Sequence, residues 1–339
     1  MQKQIESIEY FACGYCENYL HHMFRHVPKQ KLCFPAGVFL IRHRKFGYIL
    51  YDTGYGVELK QRKLKYWLYD LGNPFYITAG QEIASQLRHR GIAPEEIQYV
   101  ILSHLHPDHI GGVKSFPKAK LIVTKDLYRQ FNHYRLRDLV FKELLPADFK
   151  ARLWPVAPNA MDRCIGAGNG NSAITNAKKG TDKMMARMKG AFLSEGNLLL
   201  KKADEVRSRY DLCLGGGYGL KTYDLFKDGS LLIASLDGHA TGQACIFLPE
   251  YRLFMAADVC WGILLLRYTS QIRKLPLLIQ KNPEAYFKNI DLLRKMQKDG
   301  IKVVVSHDRP ERVRRILAGL PNKSSQNQKG LQQQEEIYE

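Results

Sequence analysis

The chain is poor in carboxylates. Its 339 residues hold 33 Asp and Glu against 51 Lys and Arg, a formal net charge of +18. A self-solvating acidic chain is excluded, and the cation excess brings nucleic acid and anionic surfaces into view as partners. The basic residues are spread along the sequence without an RRM, zinc-finger or helix-turn-helix pattern, so nucleic acid is kept as a partner but not favoured. Long apolar runs are also missing. Stretches such as "GILLLRY" fall far short of the roughly 20 residues a spanning helix needs, so no transmembrane segment is expected. No secretory apolar core follows "MQKQIESIEYFACGYCENYL". Cysteine is scarce and odd in number, at seven, which speaks against a disulfide scaffold. Reduced thiols and a cytoplasmic location are the expectation. "CGYC" at 13–16 lacks the second pair a zinc knuckle requires, and reads as incidental or buried thiols, Cys13 and Cys16 included.

What is present is a core-forming sequence. Apolar residues make up 45% of the chain, normal for a globular protein. "GVFLIRHRKFGYILYDTG" predicts two strands joined at Lys45–Gly47. "GQEIASQLRHRG" carries helical spacing and a terminal glycine. "IQYVILS" and "AKLIVTK" predict strands and "KDLYRQF" a short helix. Further on, "SLLIASLDGHATG", "QACIFLPE", "RLFMAADV" and "IKVVVSHD" predict strands. "NPEAYFKNIDLLRKMQKDG" predicts a helix capped near Asn282 and ended by Gly300. Strands and helices alternate in both halves, as in a layered α/β architecture. One domain over 1–321 is expected. Residues 155–209, rich in Gly, Asn, Ala and Lys, read as an insertion or mobile loop region. Residues 322–339 read as a polar, disordered tail.

The chemistry concentrates in "ILSHLHPDHIGG", residues 101–112. His104, His106, Asp108 and His109 follow an apolar strand directly, at a strand end where active-site loops sit. Pro107 keeps His106 extended. His104 and His106 then point to one side, because side chains alternate along an extended segment. Asp108 and His109 open a helix, and Gly111 and Gly112 permit close backbone approach. Imidazole and carboxylate suit Zn(II), with iron or manganese as alternatives. His239, Asp258 and His307 each follow another predicted strand. Seven ligands from four loops suffice for two metals.

The order of "DTG" at 52–54, "HLHPDH" at 104–109, "GHATG" at 238–242, Asp258 and His307 resembles the metallo-β-lactamase superfamily. Among its branches the motifs are most similar to the N-acyl homoserine lactonases. The resemblance implies an αββα sandwich of two mixed β-sheets with outer helices. It also implies a dinuclear site: His104, His106 and His239 on one metal, Asp108, His109 and His307 on the other, Asp258 bridging, and Asp52 orienting a ligand or its loop. Two zinc ions are the expected cofactors. The implied activity is hydrolysis of a carboxylic ester, lactone or thioester by a hydroxide held between the metals, with Asp108 as the catalytic proton carrier. Alternatives are a glyoxalase II-like thioesterase, a phosphodiesterase of the ribonuclease Z type, and a non-catalytic protein that keeps the fold. Two positions depart from the lactonase pattern. Trp261 stands where lactonases carry a tyrosine, three residues beyond the bridging aspartate, and Asp237 replaces a proline before Gly238.

Three further stretches bear on the substrate. "VCWGILLLRYTSQIRKLPLLIQ", directly after Asp258, is apolar and begins beside the proposed metals. It reads as a wall for a small-molecule acyl substrate. "KLKYWLYDLG" at 63–72 mixes cations with aromatics, as a cap over the site or a surface for membrane or RNA. "HHMFRH" at 21–26 reads as surface loop or entrance lining.

Overall fold

A computed structural model describes residues 3–135, 138–158 and 218–320. Two sheets pack face to face. The larger has the order β4-β1-β2-β3-β5-β6-β7, comprising β1 (Ile5–Tyr19), β2 (Lys31–His43), β3 (Gly47–Tyr51), β4 (Phe75–Tyr76), β5 (Ile97–Ile101), β6 (Lys120–Thr124) and β7 (Leu153–Val156). The smaller has the order β12-β11-β10-β9-β8, comprising β8 (Thr222–Asp224), β9 (Leu232–Ser235), β10 (Ala244–Leu248), β11 (Leu253–Met255) and β12 (Lys302–Val304). Both are mixed: β1–β2–β3 and β8 to β11 pair antiparallel, whereas β3–β5–β6–β7 and β11–β12 run parallel. This is the expected αββα arrangement.

The layering follows from period-two side-chain placement on strands buried on both faces. In β2, Phe39 and Ile41 enter the layer between the sheets, while Val38 and Leu40 pack on the outer helical side. In β10, Ile246 and Leu248 face inward, and Cys245 and Phe247 meet the helix Pro283–Lys298. That helix buries Tyr286, Ile290, Leu293 and Met296 along one stripe. The Asn282 side chain accepts from Ala285 N at 3.1 Å at its start, and Gly300, with φ +76°, follows its end. Burying each such Ile, Leu or Phe contributes roughly 1.5–3 kcal/mol relative to exposure.

Four sequence expectations need correction or addition. The N-terminal stretch containing Cys13 and Cys16 forms the 15-residue strand β1, which no strand pattern announced. Residues 155 and 156, placed at the start of the insertion, belong instead to β7, where Val123 pairs with Pro155 and Thr124 with Val156. The rest of the expected insertion beyond residue 158, and the tail 322–339, lie outside the described residues. The 21–26 stretch contains the end of a one-turn helix, Leu20–Met23, and "KLKYWLYDLG" forms the helix Leu64–Gly72.

Two contacts between loops set the geometry at the sheet ends. Thr53 N and Oγ1 both donate to the His109 carbonyl, each at 2.8 Å. The Tyr55–Gly56 backbone runs directly against Gly111, so a Cβ there would collide with the nitrogen of Gly56 and the carbonyl carbon of Tyr55. Overpacking of this kind costs about 1–3 kcal/mol. Gly111→Ala is therefore expected to lower the urea midpoint by that free energy at unchanged slope. A variant as stable as the parent would show that the two loops separate easily.

Candidate metal centre

The parallel β11–β12 pair places two site residues side by side. Met255 is in register with Val304, so Asp258 and His307, each three residues beyond its strand partner, emerge together. His307 Nε2 lies 3.0 Å from Asp258 Oδ2. The His307 ring is fixed by Nδ1 donating to the Pro35 carbonyl at 2.9 Å. Ser306 O accepts from Gly37 N at 3.0 Å. This loop of the smaller sheet is thus anchored on β2 of the larger one. The second anchor is Ala244 N, which donates to Ser103 O at 2.8 Å.

His104, His106 and His239 form one group. His106 Nδ1 lies 2.9 Å from His104 Nε2 and 3.0 Å from His239 Nε2. Pro107 does what the sequence suggested: His106 is extended, with φ −70° and ψ 156°, and the one-turn helix Pro107–Ile110 begins behind it. Asp108, His109, Asp258 and His307 form the other group, and within each group one ligand atom per residue lies within 4.8 Å of the others. Asp258 Oδ2 also reaches His239 Nε2 at 3.6 Å and His104 Nε2 at 3.8 Å. It therefore stands between the two groups, and all seven sequence-predicted residues converge.

The charges in these groups are set by burial and by neighbours. Burial, aided by nearby imidazoles, holds His104 well below the ordinary histidine range, and burial with His239 brings His106 to about 3. Burial also lowers His239. These three are neutral imidazoles, the form that ligates. In the second group burial opposes charge on His307, but Asp258 and Asp108 outweigh it and raise the ring to about 9. Burial alone would raise Asp108, yet His109 and His307 hold it at about 2. The two buried carboxylates thus favour positive charge at this point.

The donor set fits metal ions. His109 Nε2 and Asp258 Oδ1 are buried without a hydrogen-bond partner among the described residues, and His109 Nε2 faces Asp258 Oδ2 at 3.3 Å and Asp108 Oδ2 at 3.4 Å. Uncompensated buried polar atoms are uncommon and call for an occupant. Five imidazoles and two carboxylates are borderline-to-hard donors suited to first-row divalent ions.

Residues beside the seven hold them in place. Asp52, fully buried with φ +62°, accepts from Ser103 N and Ser103 Oγ at 2.7 Å each and lies 2.8 Å from His109 Nδ1. The orienting role expected from "DTG" thus has a definite geometry. Ser103 Oγ is also 3.0 Å from His104 Nδ1. Gln280 Oε1 lies 3.1 Å from His239 Nδ1. Ser103 directly precedes His104 in sequence, where a hydroxyl beside ligating histidines is a signal for such a role, while nothing in the sequence marks Gln280. Asp237, the second departure, accepts from Gly242 N at 2.6 Å and so closes the turn that carries His239. Cys13 and Cys16 are free and buried, and burial raises both thiols, Cys16 to about 12. They are poor nucleophiles.

The two groups lie on the floor of a cavity of about 310 Å³, walled by Cys16, Met23, Leu68, Tyr69, Trp261 and Ile279 among others. Trp261 packs edge-on against Phe24, ring centroids 6.2 Å apart. Of the apolar stretch after Asp258, Trp261, Pro276 and Ile279 reach this cavity. Ile263 and Leu266 are buried in the core instead, and Leu264, Leu275 and Leu278 are exposed.

Residues 33–125 match the family model described as the Metallo-beta-lactamase superfamily. A solved N-acyl homoserine lactone hydrolase, with N-hexanoyl-L-homoserine bound at its catalytic metal center, has the same fold. Its TM-score is 0.60 over 92% of this chain and 96% of that one, at 16% identity. Over residues 33–125 the chain is similar to the metallo-β-lactamase superfamily, and its two-sheet fold is that of the solved hydrolase. A probable metal-dependent hydrolase from Staphylococcus aureus shares this fold at a TM-score of 0.59 and 14% identity, covering 91% of each chain. Among curated relatives, the N-acyl homoserine lactonase AiiB of Agrobacterium fabrum is 38% identical over 79 residues, 23% of this chain and 29% of its own length. The N-acyl homoserine lactonase AttM of Azorhizobium caulinodans is 34% identical over 96 residues, 28% of this chain and 36% of its own. The match thus spans about a third of the length of these relatives.

Removing the carboxylate that holds a ligating histidine typically lowers metal affinity about 10–100-fold. Asp52→Ala is expected to weaken zinc binding by that factor while leaving all seven donors in place, as read by competition with a chromophoric chelator. Unchanged affinity would mean that His109 is held without Asp52.

Proposed function

We propose that this protein is a metal-dependent hydrolase of carboxylic esters, lactones or thioesters bearing an acyl chain. The observation that carries this reading is the placement of two donor groups, joined by Asp258, on the floor of a largely apolar cavity. His104, His106 and His239 would hold one zinc ion and Asp108, His109 and His307 a second, with Asp258 shared. Such a pair of ions, when bound, acidifies a water toward neutral pH and polarises the carbonyl under attack.

The chain's own residues supply the remainder. Asp108 reaches the cavity floor and would stay ionised beside the bound cations. Its carboxylate accepts a proton from the attacking water and returns it to the leaving oxygen. Trp261 has no hydroxyl to offer the carbonyl, but Tyr69 carries the one hydroxyl among the described residues lining the cavity. Its oxygen is 3.1 Å from Tyr55 Oη and 3.0 Å from Asn73 Nδ2. Burial raises its pKa well above 10, so the phenol stays protonated as a donor for a developing oxyanion. The apolar walls exclude water and receive the acyl chain, each buried methylene contributing about 0.8 kcal/mol.

Three measurements test this reading. His106→Ala is expected to lose at least one metal and nearly all hydrolysis; full activity in that variant would overturn the mechanism. Tyr69→Phe is expected to keep its metal content and lower kcat roughly ten- to hundredfold, whereas an unchanged kcat would leave Tyr69 as packing only. For the wild type, kcat/KM should rise with acyl length, by up to about a hundredfold over four methylenes. The +18 charge favours a phosphodiesterase as the second reading, and preference for phosphodiesters over every acyl substrate would establish it.

A further inference from the structure

The helix Leu64–Gly72 is apolar on two faces. Tyr66 and Tyr69 turn inward and are buried. Leu64, Trp67, Leu68 and Leu71 occupy the i, i+3, i+4, i+7 positions of a single stripe, and are 73%, 58%, 49% and 67% exposed. The helix Lys274–Leu278 and the residue after it repeat the pattern: Pro276 is buried, but Leu275, Leu278 and Ile279 are 74%, 80% and 46% exposed. An apolar stripe at helical spacing ordinarily marks the side that packs inward. Here nothing among the described residues covers the two stripes, and both helices line the cavity above the candidate metal centre, through Leu68, Tyr69 and Gly72 on one side and Pro276 with Ile279 on the other. Bare apolar surface beside a cavity marks an interaction face.

The charge around this face is mainly positive, although Asp70 of the first helix pairs with Lys60, and Glu17, Glu58, Glu143 and Asp138 pair with Lys31, Lys63, Lys65 and Lys281. Segments 18–31, 59–69 and 262–281 each contribute cavity-lining residues and contain no Asp or Glu. Arg25, Lys29, Arg62, Arg267 and Lys274 are exposed there and form no ion pair among the described residues. The loop carrying Arg25 and Lys29 is fastened beside the second helix, with Arg25 N donating to Gln271 O at 2.8 Å and Arg273 N to Met23 O at 2.9 Å.

We propose that this face docks on an anionic lipid bilayer, the leucines and the Trp67 indole entering the acyl boundary while the surrounding cations meet phosphate headgroups. Aliphatic side chains have no ring to stack on a base, so nucleic acid leaves the two stripes unexplained, whereas hydrocarbon satisfies them. The cations account for the sign of the lipid charge. No helix among the described residues is long and apolar enough to cross a membrane, so the attachment is peripheral. An acyl substrate would then enter the cavity from the lipid phase; that consequence rests on the hydrolase reading, while the docking itself does not.

The experiment is vesicle flotation of the full chain with phosphatidylglycerol–phosphatidylcholine and with pure phosphatidylcholine vesicles, at low and high salt. The expected result is salt-sensitive binding to the anionic vesicles with a blue shift of tryptophan emission. The L64S/L71S/L275S variant keeps Trp67 and should lower partitioning at least about tenfold at an unchanged melting temperature. R62E/K274E should also weaken it. Three results would overturn the proposal. One is no binding by the wild type. Another is equal binding by the leucine variant. The third is preferential binding of a single-stranded RNA oligonucleotide that the leucine variant retains and the charge-reversal variant loses. If vesicles are not bound and sedimentation velocity shows a dimer that the leucine variant dissolves, the face belongs to a second copy of the chain. Every readout is binding, so a chain that binds vesicles but hydrolyses nothing would count against the hydrolase reading alone.

Discussion

Asp52, Asp108 and Asp258 are all buried, and each lies within 3.6 Å of a ring nitrogen of His109 or His307. An ionised carboxylate removed from water costs several kcal/mol unless opposite charge and hydrogen bonds compensate it. Two of the three face the ligand groups and the third backs His109, so cationic charge is wanted at this point in the fold. Much of the surrounding structure answers that demand. Ser103 gives Asp52 two hydrogen bonds, and the one-turn helix after Pro107 aims Asp108 and His109 inward. The β11–β12 register brings Asp258 and His307 together.

What surrounds the centre follows from the same loops. Strand ends supply the seven donors, and backbone contacts between the 52–56 and 109–112 segments fix how closely two of those loops approach. Asp237 tightens the turn holding His239 in place of a proline, with a side-chain hydrogen bond where a ring would have restricted the backbone. The wall above the floor is built from elements that carry no donors: β1 through Cys16, the helix Leu64–Gly72 through Tyr69, and the segment after Asp258 through Trp261. Donors and apolar walls therefore come from separate parts of the chain.

That division decided what could be read from sequence. Donors lie in short motifs at strand ends, where residue type and spacing encode their geometry, so His104, His106, Asp108, His109, His239, Asp258 and His307 were legible together, as was the alternation behind the two mixed sheets. β1 was not. Its 15 residues carry Glu6, Glu9, Glu17 and Gly14, and its pairing with β2 shifts register twice, between Ile5 and Ser7 and between Ala12 and Tyr15. Those irregularities break the period of two on which strand recognition depends. The edge strand β7 ends in Pro155 and Val156, and proline at a sheet edge looks like a loop in sequence. Tyr69 and Gln280 belong to the site only through tertiary packing, and no local pattern distinguishes them from any other tyrosine or glutamine.

The loop after β12 brings His307 to the centre, and β12 is the last strand among the described residues. Its parallel partner β11 precedes it by the whole helix Pro283–Lys298. Until that crossover is complete, Asp108, His109 and Asp258 lack His307, which the Pro35 contact fixes in place. Non-local strand pairing of this kind forms late and slowly. The seven donors are therefore assembled in one place only once this strand has paired.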